Sequence, residues 1–188
     1  LKAMLQDMEQ APKNYVPTNF WSSGLSTIID DIENFGFDKF RDHKSAKLWY
    51  VQQFRPNYKK IEPLISSLLA CLKFMKNSKA KKLINILDGS DKAQVEYRLY
   101  RAAADSCINP SVSLNDIGEN GGFGGELHEF GGKLFSRSML SYLRAISYLN
   151  SLTKGQSISS ALEIGGGYGT LGEIFLKSGE NNFYVNVD

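Results

Sequence analysis

The residues whose types and spacing carry the most chemistry lie in 161–188, ALEIGGGYGTLGEIFLKSGENNFYVNVD. Gly165, Gly166, Gly167 and Gly169 separate a short apolar stretch from a helical one. A tight strand-to-helix turn of this composition lets a ligand approach the backbone where a Cβ would collide. Two readings of the turn overlap. Gly167-Tyr-Gly169-Thr-Leu-Gly172 satisfies the dinucleotide fingerprint G-x-G-x-x-G. That fingerprint needs apolar strand residues two and four positions before its first glycine. Counting back from Gly167, those places hold Gly165 and Glu163. Starting at Gly166 restores Leu162 and Ile164, but Tyr168 then replaces the second glycine. Register disfavours a dinucleotide, and an NAD-dependent enzyme with it.

The second reading is apolar-acid-apolar-G-x-G-x-G, the pattern of the S-adenosylmethionine-binding start of a class I methyltransferase. Leu162-Glu163-Ile164-Gly165-Gly166-Gly167-Tyr168-Gly169 fits it at every position. The expected cofactor-binding residues are Glu163, Gly165, Gly166, Gly167, Tyr168, Gly169 and Asp188. Asp188 ends the next strand, 19 residues after Gly169, where a carboxylate accepts hydrogen bonds from two vicinal ribose hydroxyls. Glu163 is expected beneath the turn, holding its backbone and facing the ligand's ammonium end. Phe183, Val185 and Val187 alternate with Tyr184 and Asn186, as a strand before Asp188 requires.

Glu126, His128 and Glu129 form the one compact titratable cluster of the glycine-rich segment 118–132. His128 is the sole candidate for a general base or a metal ligand, with the segment as a lid. The preferred reading is a surface loop whose histidine makes a local hydrogen bond, which leaves the catalytic residue unknown. The spacing misses H-E-x-x-H, and no metal site is expected; a divalent metal is compatible with the reading but not indicated. His43, among charged residues, is expected to face solvent. Cys71 and Cys107 match no metal-ligand spacing. Cys71 reads as a buried small hydrophobe. Tyr15, Phe20 and Trp21 could stack on a sugar ring, but anchoring of their segment to the core is the preferred reading. Tyr97 and Tyr100 are taken as packing residues.

The elements that must position these groups follow from periodicity. A short helix is expected over 1–10, then an extended lead-in over 15–21. A helix follows over about 25–35, capped by Ser22 or Ser23 and ended by Gly36, with Leu25, Ile28, Ile29, Ile32 and Phe35 on one face. The clearest helix covers about 61–75, where Ile61, Leu64, Ile65, Leu68, Leu69, Leu72 and Met75 line a buried face and Pro63 fits the first turn. Helices are also expected over 81–87 and 92–104, the latter with Val95, Leu99 and Ala102–Ala103 inward. Residues 118–132 read as a loop, and a helix follows to about Asn150 with Met139, Leu143, Ile146 and Leu149 inward. A polar connector over 151–160 leads to a strand at 161–164, the glycine turn, a helix over 170–178 and a strand at 183–188. The fold class is therefore α/β. A mainly helical region, 1–155, precedes the first β-α-β unit of a truncated class I, Rossmann-like sheet, 156–188.

The chain has 188 residues, 22 basic and 20 acidic. A net charge of +2 gives no support for a nucleic-acid partner. The basic run Lys76–Lys82 reads as a solvated helix end or turn. No apolar run approaches the roughly 18 residues of a membrane span, and no signal peptide stands at the start. With so few cysteines, the expected compartment is the reducing cytoplasm.

EIGGGYGTL followed by YVNVD is similar to the sugar O-methyltransferases of bacterial polysaccharide loci. Asn19-Phe-Trp21, the helix after it, Gly36-Phe-Asp-Lys-Phe-Arg41 and the helix over 138–150 resemble that family as well. The resemblance implies methyl transfer from S-adenosylmethionine to the hydroxyl of a nucleotide- or polymer-linked saccharide. Nothing in 161–188 supplies the base. The chain begins with Leu and stops after the second strand, leaving Leu162, Ile164, Val185 and Val187 bare; the expectation is a piece of a longer enzyme, inactive alone, rather than one whose sheet edge partner chains cover in an oligomer. The competing reading is a non-catalytic helical assembly module with a vestigial cofactor motif.

Overall fold

The computed structural model describes residues 3, 6–7, 10–12, 19–49, 53–56, 58, 60–107, 110–153, 156–167, 169–179 and 182–187. Its helices are α1 (Asn19–Phe35), α2 (Lys44–Trp49), α3 (Glu62–Phe74), α4 (Ser78–Leu87), α5 (Ser90–Asp105), α6 (Arg137–Thr153) and α7 (Thr170–Lys177). Its strands are β1 (His128–Phe130), β2 (Lys133–Phe135), β3 (Ser160–Ile164) and β4 (Phe183–Val187). The chain is thus mixed α/β. Of the segment 1–10, the described residues Ala3, Gln6, Asp7 and Gln10 are helical. Tyr15, Tyr168 and Asp188 lie outside the described residues. No helix among the described residues is long and apolar enough to cross a membrane.

The core is organised around α6. Ser136 opens it, its Oγ accepting from the Met139 N–H at 3.1 Å. Met139, Leu140, Leu143 and Ile146 are buried on one face. Leu149, expected inward, is exposed, and Asn150 is buried beside it. The reason is a hydrogen-bond match: the Asn150 amide receives the Val112 N–H (2.9 Å) and donates to the Val112 carbonyl (2.8 Å). A buried side-chain amide satisfied on both sides ties 111–114 to the helix. The same core cluster takes in Phe54, Ala93, Tyr100, Phe135 and, from α7, Ile174 and Phe175. Residues from both sides of position 155 share it.

Several expectations need correction. Helix α1 begins at Asn19, so Phe20 and Trp21 are helical rather than extended. Gly36 ends α1 as expected, with φ +71° and its N–H on the Ile32 carbonyl. Phe35 is exposed. On α3 only Ile65 and Leu72 are buried; Ile61, Leu64, Leu68, Met75 and Cys71 are exposed. Its chief neighbour is α4, and a helix packed against one neighbour buries a narrow stripe.

Helix α5 turns a different face inward from the expected one. Val95, Leu99 and Ala102 are exposed, while Ala93, Tyr97, Tyr100 and Ala104 meet the core. Phe130 and Phe135 supply rings for Tyr97 and Tyr100 to pack against, and those contacts select the face. Tyr97 and Tyr100 are packing residues as expected; Tyr97 stacks on Phe130 with centroids 4.5 Å apart.

Burial raises the Tyr100 pKa above 10.0. A group whose folded pKa is raised contributes stability that is full below its unfolded value and lost as pH rises through the folded one. Stability is therefore expected to fall as pH climbs past 10, and Tyr100→Phe to shrink that fall. Urea unfolding of both proteins between pH 8 and pH 11 reads the difference.

Residues 118–132 are not a loop throughout. Strands β1 and β2 form an antiparallel hairpin, with Phe130 opposite Lys133. Gly131 and Gly132 make its two-residue turn at φ +60° and +78°. Positive φ at both central positions is what a type I′ hairpin demands, and glycine meets it without a Cβ penalty. The preceding glycines serve a different purpose. A Cβ on Gly124 would strike the Asp42 carboxylate, and one on Gly125 would lie 3.1 Å from Arg41 Cδ. The segment 121–125 thus wraps the 3₁₀ turn Phe40–Asp42, with the Lys39 N–H donating to the Gly122 carbonyl at 2.8 Å and the Gly125 N–H to Asp42 Oδ1 at 3.2 Å. That turn folds His43 back: its ring stands edge-on to Phe35 and Phe40 and is half-buried rather than in solvent.

Candidate functional site

Strands β3 and β4 pair in parallel, with Ala161 opposite Tyr184, Leu162 opposite Val185, Glu163 opposite Asn186 and Ile164 opposite Val187. Helix α7 makes the crossover between them. Period two places Ala161, Glu163, Tyr184 and Asn186 on one face and Leu162, Ile164, Val185 and Val187 on the other. Helix α7 covers the first face. A Cβ on Gly172 would lie 2.5 Å from the Tyr184 ring, so glycine there permits close contact of helix and strand. The apolar face is open, with Ile164 81% exposed.

The glycine turn occupies the end of this unit. Gly165, Gly167 and Gly169 have φ of +75°, +56° and +82°, a region L side chains reach only with strain. The Gly165 N–H donates to the Val187 carbonyl at 2.7 Å, which brings the turn against the end of β4. Gly169 caps α7 and donates to the Gly166 carbonyl at 3.1 Å. Chain neighbours aside, no described residue stands within 4 Å of where a Cβ on Gly165 or Gly169 would lie. These two glycines are required by conformation and leave open space before the backbone.

Gly166 is required by proximity instead. A Cβ there would fall on the Glu163 carboxylate and 2.6 Å from Asn186 Oδ1. Glu163 therefore lies under the turn, as expected, and Tyr184 donates its hydroxyl to the same carboxylate. Asn186 Nδ2 donates to the Gly167 carbonyl at 3.3 Å. In the sequence, Tyr184 and Asn186 count only as evidence for a strand. Their parity with Glu163 across a parallel pair is the signal that could have placed them at a shared site.

Of the residues expected to bind the cofactor, Glu163, Gly165, Gly166, Gly167 and Gly169 are gathered at this one turn. Tyr168 and Asp188 lie outside the described residues.

His128 belongs to a different neighbourhood. Its Nε2 is 2.7 Å from Glu126 Oε1 and its ring stands edge-on to Phe54. The Glu126 carboxylate also accepts from the backbone N–H groups of Phe54 and Arg55 at 3.2 Å. None of these partners comes from 160–187. Among the described residues no three His, Cys, Asp or Glu side chains gather to hold a metal ion.

Comparison with protein-family models, with curated proteins and with solved structures finds no match to this chain.

Proposed function

We propose that the turn Gly165–Gly169 binds S-adenosylmethionine and that the protein is an O-methyltransferase acting on a saccharide hydroxyl. On this reading β3, α7 and β4 are the first βαβ unit of a class I, Rossmann-like sheet. The observation that carries the cofactor reading is the Glu163 carboxylate lying against Gly166, beneath a left-handed glycine turn between two parallel strands. Open space before Gly165 and Gly169 lets a ligand meet the backbone N–H groups at the start of α7. Glu163 supplies negative charge for the ammonium end, and Asp188 is the proposed acceptor for the ribose hydroxyls.

S-adenosylmethionine supplies an electrophilic methyl group. Transfer needs an acceptor oxygen in line with the sulfur–methyl bond, about 3 Å from the carbon, and a group to take its proton. No base is assigned for this step: His128, hydrogen-bonded to Glu126, shares no contact with the turn among the described residues. The saccharide acceptor rests on the family resemblance of the glycine motif and the lead-in.

Titration calorimetry on the full-length protein tests the cofactor reading. One equivalent of S-adenosylmethionine is expected to bind, and NADH is expected to give no heat. Silence at millimolar S-adenosylmethionine would sink the proposal and leave the assembly module with a vestigial motif. Heat with NADH alone would favour the dinucleotide register.

A further inference from the structure

Between Glu62 and Asp88 the chain carries no acidic residue and five lysines, Lys73, Lys76, Lys79, Lys81 and Lys82. The whole chain has a net charge of +2, so the remainder carries −3. Positive charge is segregated onto α3, α4 and the turn between them. All five lysines are exposed. None has an ion-pair partner among the described residues.

Apolar side chains are exposed on the same two helices and the turn between them. Phe74, the last residue of α3, is 86% exposed, and Met75 beside it is exposed too. Leu64, Leu68, Cys71 and Met75 recur at helical spacing as an exposed stripe. Leu83 and Ile86 are exposed on α4. At the turn itself a groove of about 410 Å³ is lined by Lys73, Met75, Lys76, Asn77 and Lys81. It opens at the N-terminus of α4, whose first turn holds no acidic residue.

We propose that the α3–α4 hairpin docks onto an anionic lipid surface. Phe74 and Met75 enter the boundary between headgroups and acyl chains. The lysines hold lipid phosphates, one of them seated in the groove at the turn. Interfacial binding combines an exposed apolar tip with a cationic rim, and both are present here within one helical hairpin. Other occupants use only part of this surface. A second copy docked by the same hairpin would set lysines against lysines, a repulsive arrangement. A nucleic acid would engage the lysines and leave Phe74, Leu64 and Leu68 in water.

Sedimentation with sucrose-loaded vesicles tests this with the full chain. Vesicles with roughly one-third phosphatidylglycerol in phosphatidylcholine should bind the protein at least about tenfold more tightly than phosphatidylcholine alone, and salt should weaken the binding. Two variants, Phe74→Ser/Met75→Ser and Lys76→Glu/Lys79→Glu/Lys82→Glu, should each lose about tenfold or more. All five positions are exposed, so the variants should unfold thermally like the parent. A fluorophore on Cys71, in a Cys107→Ser background, should shift to the blue only with anionic vesicles.

Equal binding to both lipid compositions, no binding to either, or full binding by the charge-reversed variant would overturn the proposal. So would a dimer in light scattering that Phe74→Ser dissociates, which assigns the face to a second copy. Binding of a single-stranded polynucleotide without vesicle binding assigns the lysines to nucleic acid instead.

Discussion

Replacing Arg41 with Met is expected to destabilise the protein by about 3–5 kcal/mol, the usual cost of stripping one partner from a buried ion pair. Arg41 and Glu119 form such a pair, with side chains 4% and 0% exposed. The Glu119 carboxylate also serves the helix behind it, since its Oε2 accepts the Ser136 N–H at 2.7 Å, at the opening of α6. Its own N–H donates to the Leu134 carbonyl at 2.8 Å, on β2. Arg41 in turn projects from the 3₁₀ turn that segment 121–125 wraps. One ion pair thus joins the N-terminal helices to the hairpin and to the helix at the centre of the core. Without Arg41, a carboxylate stays buried without its cation, a large loss against the roughly 5–15 kcal/mol that holds a domain folded.

The double variant Arg41→Met/Glu119→Gln separates charge from architecture. Glutamine keeps an acceptor for the Ser136 N–H, and methionine keeps the apolar stem of the arginine. Replacing both partners of a buried pair by neutral groups is often close to neutral, so the double variant should recover most of the loss. Urea denaturation of the parent, both single variants and the double variant gives the coupling energy directly. A cost below about 1 kcal/mol for Arg41→Met would mean that the pair behaves as a solvated surface bridge.

This pair also marks the limit of what the sequence could disclose. Local periodicity located α3 to α7 to within a few residues, because the backbone's periods are written in neighbouring side chains; it set the start of α1 six residues late and gave no helix over Lys44–Trp49. The β-α-β unit was legible for the same reason: Leu162-Glu163-Ile164, the glycines and the alternation after Phe183 lie within 28 residues. Which face of a helix turns inward is not local. Val95 and Leu99 lost to Tyr97 and Tyr100 because Phe130 and Phe135, about 30 residues further on, supply rings for tyrosines to meet. The stripe on α3 read as core although only α4 packs broadly against it. Arg41 and Glu119 are 78 positions apart, and neither has a neighbour that reveals burial. The hairpin at 128–135 was within reach, since Gly131-Gly132 between two short apolar-bearing runs is a type I′ signal. The overall glycine content of 118–132 obscured it.

The glycine turn yields the other large effect. If the turn binds S-adenosylmethionine as proposed, Glu163→Gln should weaken that binding by roughly 10- to 150-fold, the equivalent of about 1.5–3 kcal/mol for a lost charge-assisted hydrogen bond. The fold should be spared, because glutamine keeps an oxygen to accept the Tyr184 hydroxyl. Gly166→Ala should weaken binding at least as much by a different route. Its Cβ would displace both the Glu163 carboxylate and Asn186, and Asn186 holds the Gly167 carbonyl. Gly165→Ala obstructs nothing nearby but imposes about 1–2 kcal/mol of left-handed backbone strain.

The three variants therefore test charge, clearance and conformation in turn. Methylthioadenosine, which lacks the ammonium-bearing part of the ligand, distinguishes them. Its affinity should be indifferent to Glu163→Gln and sensitive to Gly166→Ala. Calorimetry with both ligands reads the pattern. If Glu163→Gln weakened the two equally, the carboxylate would act through the turn's shape, with Glu163 as a positioning residue. If neither ligand responded to Gly166→Ala, the turn would have no part in binding, and the match of its register to a methyltransferase would be coincidental.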